Sequence, residues 1–79
     1  MNLRVDRIFW NGVKIMVDCV KLRKLRKYHE QTCDDMAKLI NVSTRAYSNK
    51  EKGISQFKLN EMVIISQHFG KPMEDIFLN

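Results

Sequence analysis

Cysteine, glycine and proline are all scarce in this chain, and each scarcity closes off a class of protein. The 79 residues include two cysteines, Cys19 and Cys33. They form no CxxC pair and do not stand beside histidines at ligand spacing, so neither a disulfide framework nor a zinc site is expected, and both read as free thiols. His29 and His68 stand alone, and no metal site is expected from them. Three glycines and one proline make no low-complexity tract, no interdomain linker and no glycine-rich loop that cradles phosphate. No nucleophile–base pair is visible either, so the chain is expected not to be an enzyme and to need no cofactor. Apolar runs stay well short of about 18 residues, so no membrane-spanning helix is expected. The basic, apolar, small-residue order of a signal peptide is missing, and a cytoplasmic protein is expected.

What is present is a small, basic, ordinary globular composition. Hydrophobic residues make up 44% and charged residues 29%, which fits one domain with a small core. The formal net charge is +5, and it is unevenly placed. Residues 18–32 and 43–53 carry most of the excess, while 33–42 and 54–79 are slightly acidic. A clustered basic balance favours a polyanionic partner over an evenly solvated surface.

The first 18 residues read differently from the rest. Two β-rich runs flank Asn11-Gly12, the residue pair best suited to a type I′ turn because both positions need positive φ. A β-hairpin is expected there, with Ile8, Phe9, Trp10, Val13 and Ile15 as its large apolar residues. A lone hairpin is marginal in water, so these side chains need a cover. Either the hairpin packs on its own helical domain or it pairs with the same hairpin of a second subunit as a homodimer; the dimer is the preferred expectation. Met16 is an alternative start, which would make the segment accessory.

From residue 19 the pattern is helical. Residues 19–29 form a first helix, with Val20, Leu22 and Leu25 apolar and five Lys or Arg over the remainder. Its apolar stripe is too narrow for a membrane-surface helix. Thr32 to Gly53 then reads as two short helices with a tight joint. Thr32 is a helix N-cap, with Asp35 three residues on as in a capping box. Met36, Ala37 and Ile40 share a face. Asn41 stops this helix, because Asn tolerates a left-handed backbone. Ser43 caps the next helix, which turns Ala46 and Tyr47 to one side and Thr44, Arg45, Ser48 and Asn49 largely to the other, and ends at Glu51-Lys52-Gly53. Such a short, polar, hydrogen-bonding outer face suits contact with something polar. Phe57 to Phe69 reads as a helix apolar enough to be buried all round, closed by Gly70 as a C′ residue. Pro72 opens a last short helix to Phe77, packed back through Met73, Ile76 and Phe77.

The stretch from Leu22 to Leu78 resembles the Cro/C1-type (XRE) helix-turn-helix family of phage repressors and bacterial regulators. The residues that carry the resemblance are Ala37 at the helix crossing, Val42, the Ser43 cap, inward Tyr47, Glu51-Lys52-Gly53, and the ending HFGKPMEDIF. The resemblance implies a mainly α fold: a five-helix, lambda-repressor-like domain over residues 19–79, preceded here by a hairpin over 1–18 that the family pattern lacks. Asn41 replaces the family's usual Gly, Cys33 its usual Gln, Lys50 an apolar residue, and Gln31 the apolar residue before the cap.

The same resemblance implies a function. The second motif helix, residues 43–52, would lie in the major groove of double-stranded DNA, and a dimer would read a palindromic operator with half-sites about one helical turn apart. The base-facing positions would be Thr44, Arg45, Ser48 and Asn49. Arg45 suits guanine O6 and N7, Asn49 suits adenine N6 and N7, and the Thr44 methyl suits thymine; a phosphate contact is the other role open to Arg45. Phosphate contacts would come from Ser43, Lys50, Lys52 and Lys58, from the position of Cys33, and from Lys24 and Lys27 on the first helix. Arg26 and Glu51 match positions that commonly form a structural ion pair. The expected protein is thus a small repressor-like transcriptional regulator or antitoxin-like autoregulator of a bacterial or phage-infected cell, with no small-molecule effector. The competing expectation is a protein-interaction module on the same fold that has lost DNA binding.

Overall fold

The computed structural model describes residues 19–78. Over them the chain is mainly helical. Its elements are α1 (Val20–Tyr28), α2 (Cys33–Leu39), α3 (Thr44–Glu51), α4 (Leu59–Phe69) and α5 (Met73–Phe77), with no strand among the described residues. The expected hairpin, with Ile8, Phe9, Trp10, Val13 and Ile15, lies outside the described residues. No helix among them is long and apolar enough to cross a membrane.

Four of the five helices end in the same way. A residue of positive φ follows each: Glu30 (58°), Asn41 (60°), Gly53 (84°) and Gly70 (67°). The next amide then reaches back five residues. Gln31 N–H bonds the Arg26 carbonyl at 3.0 Å, Val42 that of Ala37 at 2.9 Å, Ile54 that of Asn49 at 2.9 Å and Lys71 that of Ser66 at 3.2 Å. This is the Schellman motif, which satisfies carbonyls that a helix end leaves orphaned. Asn41, Gly53 and Gly70 are residue types suited to the left-handed turn. Glu30 is not, and nothing in its sequence context marks it.

The starts are capped by side chains where α2 and α3 begin. The Asp35 amide donates to Thr32 Oγ1 at 3.0 Å, and the Thr32 amide donates to Asp35 Oδ2 at 2.9 Å, a reciprocal capping box. The Ala46 amide donates to Ser43 Oγ at 3.0 Å. At α4 the Lys58 amide donates to Glu61 Oε1 at 2.9 Å. The last helix starts at Met73, with Pro72 extended before it at ψ 150°.

The core gathers one or two residues from each helix. Leu22, Met36, Ala37, Ile40, Tyr47, Ile65 and Ile76 are buried together with Cys19. Ala37 is 1% exposed, and its small side chain lets α2 and α3 approach closely. Phe57, in the loop before α4, stacks edge-on with Tyr47 and Phe77 at centroid distances of 5.9 and 5.3 Å. Several apolar residues are less buried than the sequence pattern suggests. Leu59 is 65% exposed and Val63 36%, so α4 lies at the surface and seals the core mainly through Ile65, with Ile64 and Phe69 packed beside it. Val20, at the start of α1, is 39% exposed.

Candidate nucleic-acid interface

Three buried polar side chains set the inner side of α3. Glu51 sits in the last turn with its side chain 4% accessible. Its carboxylate accepts from Arg26 Nε at 2.8 Å and Nη2 at 3.0 Å, and from the Tyr47 hydroxyl at 2.8 Å. Arg23 Nε stands 3.5 Å from the same carboxylate. Arg26 also donates to the Gln31 carbonyl at 3.0 Å. Burial pushes Glu51 towards the protonated form, but the hydrogen bonds from Arg26 and Tyr47 and the two guanidinium charges outweigh it and hold the carboxyl below its ordinary range. Its partner Arg26 is raised, chiefly by the hydrogen bond to Glu51. Burial, then the hydrogen bond to Glu51, drives the Tyr47 phenol far above its ordinary value, so it stays a donor. The α1–α3 packing is therefore fixed by a charge-assisted, two-point contact rather than by apolar packing alone.

With Tyr47 and Glu51 turned inward, helical geometry sets the opposite side of α3. At about 100° per residue, Arg45 lies on the far side from Tyr47, flanked by Asn49, Ser48 and Lys52. Arg45 and Lys52 are exposed, and Ser48 and Asn49 half-buried. Arg45 has no hydrogen-bond or ionic partner among the described residues. Thr44 is exposed too, but its hydroxyl is engaged: Oγ1 donates to Asp34 Oδ1 at 2.7 Å. Asp34 also meets Lys38 at 3.2 Å. The Thr44 hydrogen bond, then Lys38, holds the Asp34 carboxyl low. The capping amide of Thr32 does the same for Asp35. The first turns of α2 and α3 are thus tied side chain to side chain, and the Thr44 methyl remains the part of that residue free to touch a partner.

The expected phosphate residues fall into separate places. Ser43 Oγ is occupied as the α3 cap, and its hydroxyl proton remains available. Lys52 and Lys58 are exposed near the C-terminal end of α3 and the start of α4. Cys33 is half-buried against the core. The Lys50 ammonium is withdrawn: it is 3.1 Å from Glu61 Oε1 and 3.1 Å from the Gln56 carbonyl, lies 5.9 Å from the Phe57 ring centre, and its side chain is 11% accessible. Lys24 and Lys27 are exposed on α1; Lys24 lies about 160° round the helix from Arg26 and Lys27 about 100°. Sequence reasoning missed Asp34 and Glu61 as the partners of Thr44 and Lys50. Both pairs are about ten residues apart across a turn, a distance no local pattern reports.

Among the described residues, no three His, Cys, Asp or Glu side chains gather as a metal site. No model of a known family matches the chain, and no curated protein sequence matches it.

Proposed function

We propose that the chain is a Cro/C1-type DNA-binding domain, a lambda-repressor-like five-helix unit that reads double-stranded DNA as a small transcriptional regulator. The observation that carries this reading is the two-sided nature of α3. Its inner side is locked to α1 by the Arg26–Glu51–Tyr47 network. Its outer side presents Arg45, Asn49 and Ser48, which between them donate to and accept from base edges. Burial and pairing hold the helix rigid and leave the specific hydrogen-bonding groups facing outward, as a reading element requires. Lys52 and Lys58 supply charge beside it, and Ser43 with the first amides of α3 supplies phosphate donors. In this reading a homodimer, joined through the 1–18 segment, places two copies of α3 on a palindromic operator.

Two observations favour a second reading, a protein-binding module that no longer takes DNA. Lys50 is committed to Glu61, and the Asp34 carboxylate stands exposed beside Thr44.

Selection from a random duplex pool separates the two. DNA reading yields an enriched, palindromic sequence whose affinity falls steeply with salt. Recovery of a pool with no preferred sequence would refute it. Light scattering of the full chain against one starting at Met16 tests the dimer, which should be lost in the shorter chain.

A further inference from the structure

We propose that the outward face of α1 is a second polyanion-binding surface, one that takes the phosphate backbone of a duplex other than the one on α3. Leu22 and Arg26 point α1 into the molecule. At about 100° per residue, the opposite arc carries Lys27, Val20, Lys24, Tyr28 and Lys21 in that angular order. All five are exposed, Tyr28 at 81%. The arc holds three ammonium groups, one aromatic ring and no acid. None of the three lysines meets a carboxylate among the described residues, whereas every other cationic side chain of α1 is drawn to Glu51.

The centre of this face, at Lys24, points away from the α3 surface, with Lys27 at the edge nearer to it. Arg26 on α1 and Glu51 on α3 touch, so the sides bearing them face each other. Lys24 lies about 160° round α1 from Arg26, and Arg45 about 120° round α3 from Glu51. A single straight duplex lying against Arg45 is therefore on the far side of the domain from Lys24. Lysines are point charges without the planar fork that reads base edges, so the recognition is of backbone phosphate, independent of sequence. Three lysines and one exposed ring span only about 10 Å of helix. That suits a line of phosphates better than a protein partner, which needs a far larger contact.

Binding by the α1 face stands on its own; the resulting bridging of two duplexes rests on α3 holding DNA as proposed above. The test uses the full chain with α3 disabled, as the double variant Arg45→Ala and Asn49→Ala, and a duplex of unrelated sequence. Adding Lys21→Gln, Lys24→Gln and Lys27→Gln should lower the slope of log affinity against log salt by about 2.7, with the helical circular dichroism unchanged. The control replaces Lys38 and Lys71, exposed lysines elsewhere on the surface, with Gln. An equal loss per lysine in the control would show a general charge effect and overturn the proposal, as would an unchanged slope in the α1 variant. Tighter binding of poly-glutamate than of duplex at the same salt would overturn it in favour of an acidic protein. With α3 intact, a tethered duplex of the selected sequence should retain a free labelled one, and the α1 variant should release the label but stay on the tether. Failure to bind the tether at all refutes the α3 reading and leaves the salt slopes to decide the α1 face.

Discussion

The Glu51 carboxylate receives both Nε and Nη2 of Arg26, at 2.8 and 3.0 Å, with each side chain at most 10% accessible. The pair joins helices 25 residues apart in sequence. A buried pair of this kind adds little net stability over apolar residues of the same volume, but removing one partner strands the other charge. Glu51→Ala should therefore cost about 3–5 kcal/mol, a large part of the roughly 4–12 kcal/mol expected for 79 residues. Replacing both, Arg26→Met with Glu51→Leu, should cost clearly less than either single change. Urea denaturation of Glu51→Ala, Arg26→Met, Glu51→Leu and the double variant checks this, and additive losses would mean that the two groups do not act as a pair.

The same network, together with the contacts of Asp34 and Asp35 at the start of α2, sets the acid limit of the fold. Glu51, Asp34 and Asp35 all have folded-state pKa values below their ordinary ones. Their contribution is fully present above the unfolded carboxyl values near pH 4 and is lost as pH falls through the lower folded values. Stability from urea midpoints should hold from pH 7 to about 5 and then fall. Glu51→Gln should be weaker at neutral pH and show a shallower acid fall. Tyr47 has the opposite sign: its raised phenol stabilises the fold below about pH 10 and ceases to as pH rises further.

Glu30 and Asn41 adopt nearly the same left-handed backbone, at φ 58° and 60°, with unequal strain. A side chain there costs about 1 kcal/mol or more, less for Asn, whose short polar side chain visits this region. Glu30→Gly should raise stability by up to about 1 kcal/mol, after the extra freedom glycine gives the unfolded chain. Asn41→Gly should change it by only a few tenths of that. Thermal melts of both variants measure the difference, and a larger gain at Asn41 would contradict the strain argument.

These two positions also show what a sequence makes legible. Thr32, Asp35, Asn41, Ser43, Gly53 and Gly70 could all be read because capping and left-handed turns favour particular residue types at fixed offsets. Glu30 could not be read: it is an exposed residue of a type this turn disfavours, flanked by His29 on the Phe69 ring and Gln31 on His68, contacts that no local pattern reports. Apolar content overstated the burial of α4: Leu59 and Val63 share one flank of the helix, and composition does not say which flank faces the core. On α3 the inward and outward sides followed from periodicity. What periodicity could not supply were the long-range partners that withdraw Lys50 and occupy the hydroxyl of Thr44.

Lys50 and Glu61 form the second nearly buried ion pair among the described residues, with side chains 11% and 6% accessible. Lys50→Met alone should cost about 3 kcal/mol, because the carboxylate then has no cation. Adding Glu61→Gln should recover most of that loss, since the amide oxygen still accepts from the Lys58 amide. If α3 binds DNA, the double variant should keep the wild-type salt slope. A slope lower by about 0.9 would instead make Lys50 a phosphate ligand that leaves Glu61 on binding.

Arg45 offers the sharpest test of the DNA reading. It is exposed, unpaired among the described residues, and centred on the outer side of α3. Its loss should therefore leave stability within about 0.5 kcal/mol of wild type. A guanidinium that makes a bidentate contact to guanine contributes about 1–3 kcal/mol of discrimination at one base pair. Arg45→Ala should then bind the selected duplex and a duplex changed at that one pair equally, while changes at other positions keep their penalties. A phosphate role predicts a different result: all sequences weaken together, and the salt slope drops by about 0.9. Under the protein-module reading neither change occurs. Measuring wild type and Arg45→Ala against single-base-pair substitutions at two salt concentrations distinguishes the three outcomes, because sequence preference and salt slope respond to different atoms of the partner.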